Sequence, residues 1–479
     1  MIREFIDREE ERSLLEREWQ GPGGRLIILY GRRRVGKTRL IDEFVREKPG
    51  ILYIAEDASP HIQIAQFKAR CAEYFSDPLL ATLEMNTWEQ IFMYIAQKPL
   101  NRRTYLIIDE FTYLIKNDPS LLSTLQKVWD HNLAGSEWCL LLSGSILSLM
   151  SDLALASTSP LYGRRTRDML LSPLSFSYAH QFFHFSFSDS LKVYLSIGGI
   201  PEYLLKASTY DDADSFFREE FFNRYGYFYH EPYFILSQEF RELKIYQSVL
   251  HAVALGNTAP TTIAQFSGLD TRHIYPYLES MIRLGLIEKE VPILGNARQG
   301  IYLIKDRVFD FWYRFVFSHR QDIETGRFDL KSIDLNMYFG RQFEAFVRDE
   351  YAGTVLSGYQ TGHWWYKEEE IDLVATNEES LSVVFGECKW GNLRRAEAGK
   401  LLAQLKEKAK GVQADRYTQR NYSLFCAGKI EGKTHLRNEG YLIYDGADIE
   451  KHISSLVRTG YEVFPDLLSH ESTEHYTPQ

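Results

Sequence analysis

The chain has 479 residues, too many for one compact core, so two to four domains are expected. Apolar content of 44% and charged content of 25% are ordinary for a globular protein and argue against wholesale disorder. A net charge of −10 argues against non-specific nucleic-acid binding over the whole surface, but leaves room for a local basic groove. Cys71, Cys139, Cys388 and Cys426 form no CxxC pair, and no His cluster has zinc spacing, which speaks against a disulfide scaffold or structural zinc. Met1-Ile2-Arg3-Glu4-Phe5 lacks the regions of a signal peptide, and no apolar run approaches the roughly 20 residues that span a bilayer. A cytoplasmic protein without membrane segments is expected.

Along the first 150 residues, short apolar runs alternate with amphipathic stretches. Leu26–Tyr30, Ile51–Ile54, Tyr105–Ile108 and Trp138–Ser143 read as buried parallel strands, and Arg39–Glu47 and His61–Phe75 as helices between them. That alternation predicts an α/β fold, a doubly wound parallel sheet with its sites at the strand C-termini.

Between the first strand and the first helix lies Gly31-Arg32-Arg33-Arg34-Val35-Gly36-Lys37-Thr38, which fits G-x-x-x-x-G-K-[ST]. Gly31 and Gly36 allow tight turns, so successive N–H groups face phosphate oxygens, and the helix starting near Arg39 adds its positive end. Lys37 is placed to reach the β- and γ-phosphates, and the Thr38 hydroxyl to ligate Mg²⁺. The third strand ends in Asp109-Glu110: Asp109 is the candidate Mg²⁺ holder and Glu110 the group that polarises the attacking water. Arg33 or Arg34 is the alternative partner that would merely neutralise these acids. The fourth strand ends in Ser143-Gly144-Ser145, where Ser143 is a candidate γ-phosphate sensor. In Gly163-Arg164-Arg165-Thr166, Arg164 and Arg165 are either an arginine finger for a neighbouring subunit or a salt-bridged basic turn.

From Leu191 to Phe240 the pattern turns helical and aromatic, with Phe216, Phe217, Phe221, Phe222, Tyr225, Tyr227, Phe228 and Tyr229 read as packing groups of an all-α lid. Lys244–Leu255, Thr262–Ser267 and Thr271–Leu284 read as helices, followed by a two-stranded wing from Gly285–Val291 and Gly300–Ile304. That order is a winged helix-turn-helix, whose presumed recognition helix carries Arg272, His273, Tyr275 and Arg283. It either reads DNA or serves as a packing module.

Phe5–Glu11, Gly31–Thr38, Asp109-Glu110, Ser143-Gly144-Ser145, Leu171-Ser172-Pro173-Leu174-Ser175-Phe176 and Gly198-Gly199-Ile200-Pro201-Glu202-Tyr203 together resemble the archaeal-type ATPases. These are AAA+-like or STAND-like P-loop proteins, and the resemblance covers about the first 240 residues. It implies ATP rather than GTP, and no guanine-reading N-K-x-D motif stands in a suitable place; Mg²⁺ is expected from Thr38 and Asp109, and a homo-oligomer from the finger reading of Arg164 and Arg165.

From about Phe339 the chain returns to mixed α/β. Glu370–Ala375 and Leu381–Trp390 read as a hairpin around Asn377–Ser380, with Glu387 and Lys389 on one face. Asp372 is expected opposite Phe385–Gly386, within diagonal reach of Glu387, and Glu344 on the helix Phe339–Val347 is a candidate third acid. Asp372 and Glu387 would hold Mg²⁺, with Lys389 orienting a water towards a phosphodiester. The basic stretch Asn392–Lys410 either follows a phosphate backbone or is a solvated charged face. The set Asp372, Glu387-x-Lys389 and Glu344 resembles the PD-(D/E)XK nuclease fold, with Ile371 in place of the proline. It also resembles, more closely, the nuclease-like domain of unknown function fused to archaeal-type ATPases; the resemblance does not imply cleavage, since binding-only members of the nuclease superfamily keep the fold.

The expected organisation is an ATPase domain over 1–180, a lid over 181–240, a winged helix over 241–320, a nuclease-like domain over 321–468 and a polar tail over 469–479. DNA is the expected partner of the C-terminal domain. The rival is a STAND-like nucleotide switch whose C-terminal domain only binds a partner.

Overall fold

The computed structural model describes residues 8–145, 150, 158–296 and 299–459; Phe5-Ile6-Asp7 of the N-terminal motif and the tail 469–479 lie outside them. The chain falls into two compact units, one drawn from Met1–Leu174, Ile200–Lys206 and Pro276–Leu286, the other from Ser175–Gly199, Ala207–Tyr275 and Ile287–Gln479.

The first unit is built on five strands: β1 (Arg25–Gly31), β2 (Gly50–Ile54), β3 (Thr104–Asp109), β4 (Trp138–Gly144) and β5 (Arg167–Leu171). All pair in parallel, in the order β2-β3-β4-β1-β5. The four expected strands are present: β1, β3 and β4 are apolar runs that the sheet buries on both faces, and β2, at the edge, buries Ile51 and Tyr53. Leu26, Ile28, Ile108 and Leu142 feed one core layer, and Ile27, Leu29, Ile107 and Leu141 the other. Each such side chain contributes roughly 1.5–3 kcal/mol by leaving water. The fifth strand was not anticipated. It lies at the sheet edge, where only Met169 and Leu171 need to be buried, so its sequence carries no continuous apolar run.

In the second unit, Phe187–Ile197, Ala213–Glu220 and Tyr227–Glu239 are helices. Phe216, Phe217, Phe221 and Phe228 are fully buried, and Phe221 stacks on Phe228 at 4.8 Å, so these rings do pack the helices. Tyr225 departs from the expectation and is 78% exposed. Helices Leu243–Ala254 and Pro260–Phe266 follow, and β6 (Ile287–Glu290) pairs antiparallel with β7 (Ile301–Ile304), as the wing reading required. The single helix expected over 271–284 is instead a 3₁₀ turn, Thr271–His273, followed by the helix Tyr275–Arg283, which from Pro276 on belongs to the first unit. Asp270 accepts from the N–H of Arg272, and Pro276 lacks the N–H that a continuous helix would use.

The C-terminal sheet contains β8 (Gln360–Tyr366), β9 (Glu369–Asn377), β10 (Ser382–Lys389), β11 (Gln419–Cys426) and β12 (Leu442–Tyr444), ordered β12-β11-β10-β9-β8. The pairs β8–β9 and β9–β10 are antiparallel, and β10–β11 and β11–β12 are parallel. Helix Arg395–Ala409 packs on this sheet through Ala398, Leu402, Leu405 and Ala409, residues at helical spacing. All four cysteines are free and buried. Among the described residues, no helix is long and apolar enough to cross a membrane.

Candidate functional site

β1 ends at Gly31 and the helix Lys37–Val45 begins six residues later, so the loop between them opens at the C-terminal edge of the sheet. Gly36 takes φ of 101°, a conformation that costs any other residue strain, and open space surrounds the position of a Cβ there. Gly31 is required for a different reason: a Cβ would stand 2.5 Å from the carbonyl oxygen of Leu171 on β5. Val35 is buried, and a Cβ at Gly31 would also stand 3.1 Å from its Cγ1.

Lys37 is 5% exposed and donates to the carbonyls of Gly31 (2.9 Å) and Arg32 (3.0 Å), so its ammonium caps its own loop. Burial lowers its pKa, opposed by the negative charges of Glu110 and Asp109. Thr38 Oγ1 donates to Asp109 Oδ2 at 2.7 Å, which joins the loop to the end of β3 although the two residues are 71 apart in sequence. The second Asp109 oxygen accepts from the Glu110 N–H at 2.9 Å. Glu110 has φ of 53°, and its carboxylate accepts from Ser145 Oγ at 2.7 Å.

The strand order explains this convergence. β4 lies between β1 and β3, so Ser143, in register with Leu29, stands between the loop and Asp109. The Ser143 hydroxyl is completely buried and has no hydrogen-bond partner among the described residues. A buried hydroxyl without a partner is costly in the resting protein.

The arginines are used otherwise than as quenchers of the paired acids. Arg33 donates to Tyr113 Oη at 2.7 Å, and Arg34 pairs with Glu202 at 3.0 Å, leaving Asp109 and Glu110 to Thr38 and Ser145. Arg39 is exposed near the start of the loop helix. Arg164 makes a two-pronged pair with Asp130 (2.7 and 2.8 Å), and Arg165 pairs with Asp168 at 3.0 Å, the salt-bridged form of the basic turn.

A second cluster forms on the C-terminal sheet. Leu373 pairs with Gly386, so continuing the register sets Asp372 opposite Glu387 rather than opposite Phe385–Gly386. Asn377 pairs with Ser382 across a turn of 378–381, with Leu381 in the left-handed region at φ 47°, and this sets the register. Asp372 and Glu387 are each 6% exposed. Asp372 accepts from the Cys388 N–H at 2.7 Å, while Glu387 is bracketed by Lys389 (2.8 Å) and Lys408 (3.5 Å). Burial pushes the Asp372 carboxyl up to about 6, with Glu387 adding to the rise. Burial likewise pushes Glu344 up to about 8, reinforced by Asp372. The residues read from the pattern are therefore neighbours, and Lys408 joins them from the basic helix.

Expected metal binding is not preassembled here. Among the described residues no set of three or more His, Cys, Asp or Glu side chains is arranged to hold a metal ion. Lys389 and Lys408 engage the two Glu387 oxygens, and the Cys388 N–H engages one oxygen of Asp372. Much of the basic helix is also engaged, with Lys406 donating to Tyr441 and Lys410 pairing with Glu407.

Residues 5–207 match a family described as an ATPase domain predominantly from Archaea. An uncharacterized protein of Methanocaldococcus jannaschii is 32% identical over 460 residues, 93% of this chain and 99% of that protein. The chain belongs to this archaeal family of ATPase-domain proteins. Residues 312–401 of the archaeal-type ATPase match a second family, described as archaeal and bacterial proteins of unknown function, and this stretch contains Glu344, Asp372, Glu387 and Lys389. An uncharacterized ATP-binding protein of the same organism is 57% identical over 44 residues, 9% of this chain and 75% of that protein. Among solved structures, the Walker-type ATPase PABY2304 of Pyrococcus abyssi aligns at a TM-score of 0.49 and 20% identity, covering 65% of this chain and 96% of that one. The ORC2 protein of Aeropyrum pernix in its ADPNP–ADP complexes aligns at 0.44 and 11%, covering 68% and 95%.

Proposed function

We propose that this archaeal-type ATPase hydrolyses ATP with Mg²⁺ at Gly31–Thr38, and that the cycle governs how its C-terminal domain engages DNA. The observation that carries the first part is the 2.7 Å bond from Thr38 to Asp109, which brings together the loop and the carboxylate that the chemistry needs. The donor set fits Mg²⁺: a hydroxyl and a carboxylate are hard oxygen ligands, and Thr38 and Asp109 would hold the ion, which supplies charge neutralisation at the phosphates when bound. Loop N–H groups and Lys37 bind the phosphates, with Lys37 leaving the Gly31 and Arg32 carbonyls to do so. Ser143 offers its unpartnered hydroxyl to the terminal phosphate. Glu110 takes a proton from the attacking water, for which its second oxygen and its place beyond Asp109 suit it.

For the C-terminal domain the proposal is a nuclease-like fold. The sequence of elements supports it: helix Asn336–Phe346, the antiparallel β8–β9–β10, helix Arg395–Ala409 and the parallel β11. Asp372 and Glu387 are the groups that would hold a cation, and Lys389 would orient water at a phosphodiester. The hairpin β6–β7 with its preceding helices is read as a winged helix that contributes to DNA binding.

A second reading has an observation in its favour. Glu387 is neutralised by two lysines, which suits a domain that binds a partner without cutting, as in a nucleotide-controlled switch. The two readings separate when purified protein is incubated with DNA, Mg²⁺ and ATP beside D372A and K389A. Cleavage by the wild type alone supports the nuclease; intact DNA throughout, with ATP turnover retained, leaves the switch.

A further inference from the structure

Within the second unit, the end of helix Ala213–Glu220 and the turn after it face the segment 323–328, which is distant in the chain. Between them lies an open cavity of about 380 Å³. That volume falls within the roughly 300–1,000 Å³ of small-molecule sites.

One wall of the cavity is apolar. Phe222 and Ile323 are buried, and Phe222 stacks on Phe328 at 4.5 Å with the rings 13° from parallel. Neither ring carries a polar atom, so this wall offers flat apolar contact and no hydrogen bond.

The charged groups that line the rest differ in how far they are used. Glu219 accepts from Asn223 Nδ2 at 3.1 Å. Glu324 accepts from Tyr229 Oη and from Arg320 Nε, each at 2.9 Å. Arg218 and Arg224 also line the cavity, yet among the described residues neither guanidinium makes a hydrogen bond or an ion pair. Arg224 rests over the Tyr225 ring at 4.7 Å, a contact made by the face of the guanidinium that uses none of its N–H donors. A guanidinium presents those donors as a planar fork, which matches the paired oxygens of a carboxylate or a phosphate. The acids of the cavity thus have their partners, and its arginines have donors to give.

We propose that this cavity binds a small molecule that carries a carboxylate or phosphate on an aromatic body, with the anion held by Arg218 and Arg224 and the body laid against Phe222 and Phe328. The site shares no residue with the phosphate loop or with the carboxylate-lysine cluster, and it does not depend on the activity of either. Two merely solvated arginines would bind a bare anion and an aromatic one alike, which separates the two cases by experiment.

Ligand-observed NMR titrations of the full chain use phenylacetate as the probe, beside benzyl alcohol, which lacks the anion, and acetate, which lacks the ring. Wild type is expected to bind phenylacetate with a Kd on the order of 1 mM, and both control probes at least about ten-fold more weakly. R218A and R224A each weaken phenylacetate about three- to ten-fold, and R218A/R224A removes saturable binding. Both side chains are exposed, so these variants keep the wild-type Tm; should an alanine lower it, R218Q/R224Q carries the same expectation. Phenyl phosphate, titrated in the same way, distinguishes the two anions. The part of its binding that R218A/R224A loses belongs to the cavity, and the part that remains belongs elsewhere, the phosphate loop included. If wild type and R218A/R224A bind both anionic probes equally, or wild type binds neither up to about 20 mM, the site is overturned. Acetate bound as tightly as phenylacetate would overturn the role of the aromatic wall, and benzyl alcohol bound as tightly would overturn that of the arginines.

Discussion

The loop site and the C-terminal cluster both gather carboxylates and a lysine, but they hold them differently. At the loop, Lys37 sits on backbone carbonyls and leaves the acids to hydroxyls: Asp109 to Thr38, Glu110 to Ser145. In the C-terminal cluster the lysine sits on the acid itself, with Lys389 2.8 Å from Glu387 and Lys408 adding a second charge. A hydroxyl yields its acid to a cation readily, because it carries no charge that must be re-solvated. An ammonium does not, since separating it from a buried carboxylate leaves two charges to be accommodated. The first arrangement gives up its acids at the lower cost; the second must part buried charges before its acids can take another partner.

The largest effect expected from breaking this contrast is at Lys37. Lys37→Ala removes the phosphate-binding ammonium, and kcat/KM for ATP should fall by at least about 10²-fold while the C-terminal cluster is untouched. Steady-state ATPase measurements check this, and residual activity near wild type would mean that the loop does not bind the phosphates. Glu110→Gln comes next: nucleotide affinity, followed by fluorescent-analogue titration, should hold, while kcat drops about 10²-fold. Equal losses in affinity and turnover would assign Glu110 to binding instead.

The C-terminal cluster is sharpened by pH. The Glu344 carboxyl is raised to about 8, so the folded protein holds this proton more tightly than the unfolded chain, whose ordinary glutamate titrates near 4.5. The associated stability is fully present below about 4.5 and is lost as pH rises through about 8. Glu344→Gln should therefore be more stabilising, relative to wild type, at pH 8 than at pH 5 in metal-free buffer, by a few degrees in Tm (roughly 2–4 °C). Thermal scans at the two pH values give the answer, and an unchanged difference would show that Glu344 is solvated. The smallest effect belongs to Arg164→Ala. Its pair with Asp130 is near the surface, where such pairs contribute less than about 1 kcal/mol after solvent screening, so stability and turnover should barely move. A loss of turnover near 10³-fold would make Arg164 a finger on a neighbouring copy's nucleotide.

Much of this molecule is legible in its sequence, and the reasons are local. Gly31–Thr38 declares itself because phosphate binding is done by contiguous backbone, and β1, β3 and β4 because strands buried on two faces must be continuously apolar. Asp109-Glu110 follows, since paired acids at the end of such a strand need a purpose. Edge strands β5 and β8 leave fainter traces, because they bury fewer residues and tolerate charges such as Arg167 and Asp168. The break before Pro276 was readable in principle from the proline itself, yet helical periodicity on both sides concealed it.

Residue types and their spacing determined by themselves that this chain carries a phosphate loop, an acid pair and a carboxylate-lysine set on one strand face. Only the tertiary structure decided which partner each charge received. The register of β9 on β10 put Asp372 across from Glu387, the packing of Arg395–Ala409 brought Lys408 to the same acid, and the placement of β4 between β1 and β3 delivered Ser145 to Glu110. Those partners are 35 residues apart in the chain for Ser145 and Glu110 and 71 for Thr38 and Asp109, and contacts at such separations are set by sheet order and strand register, which no local pattern encodes.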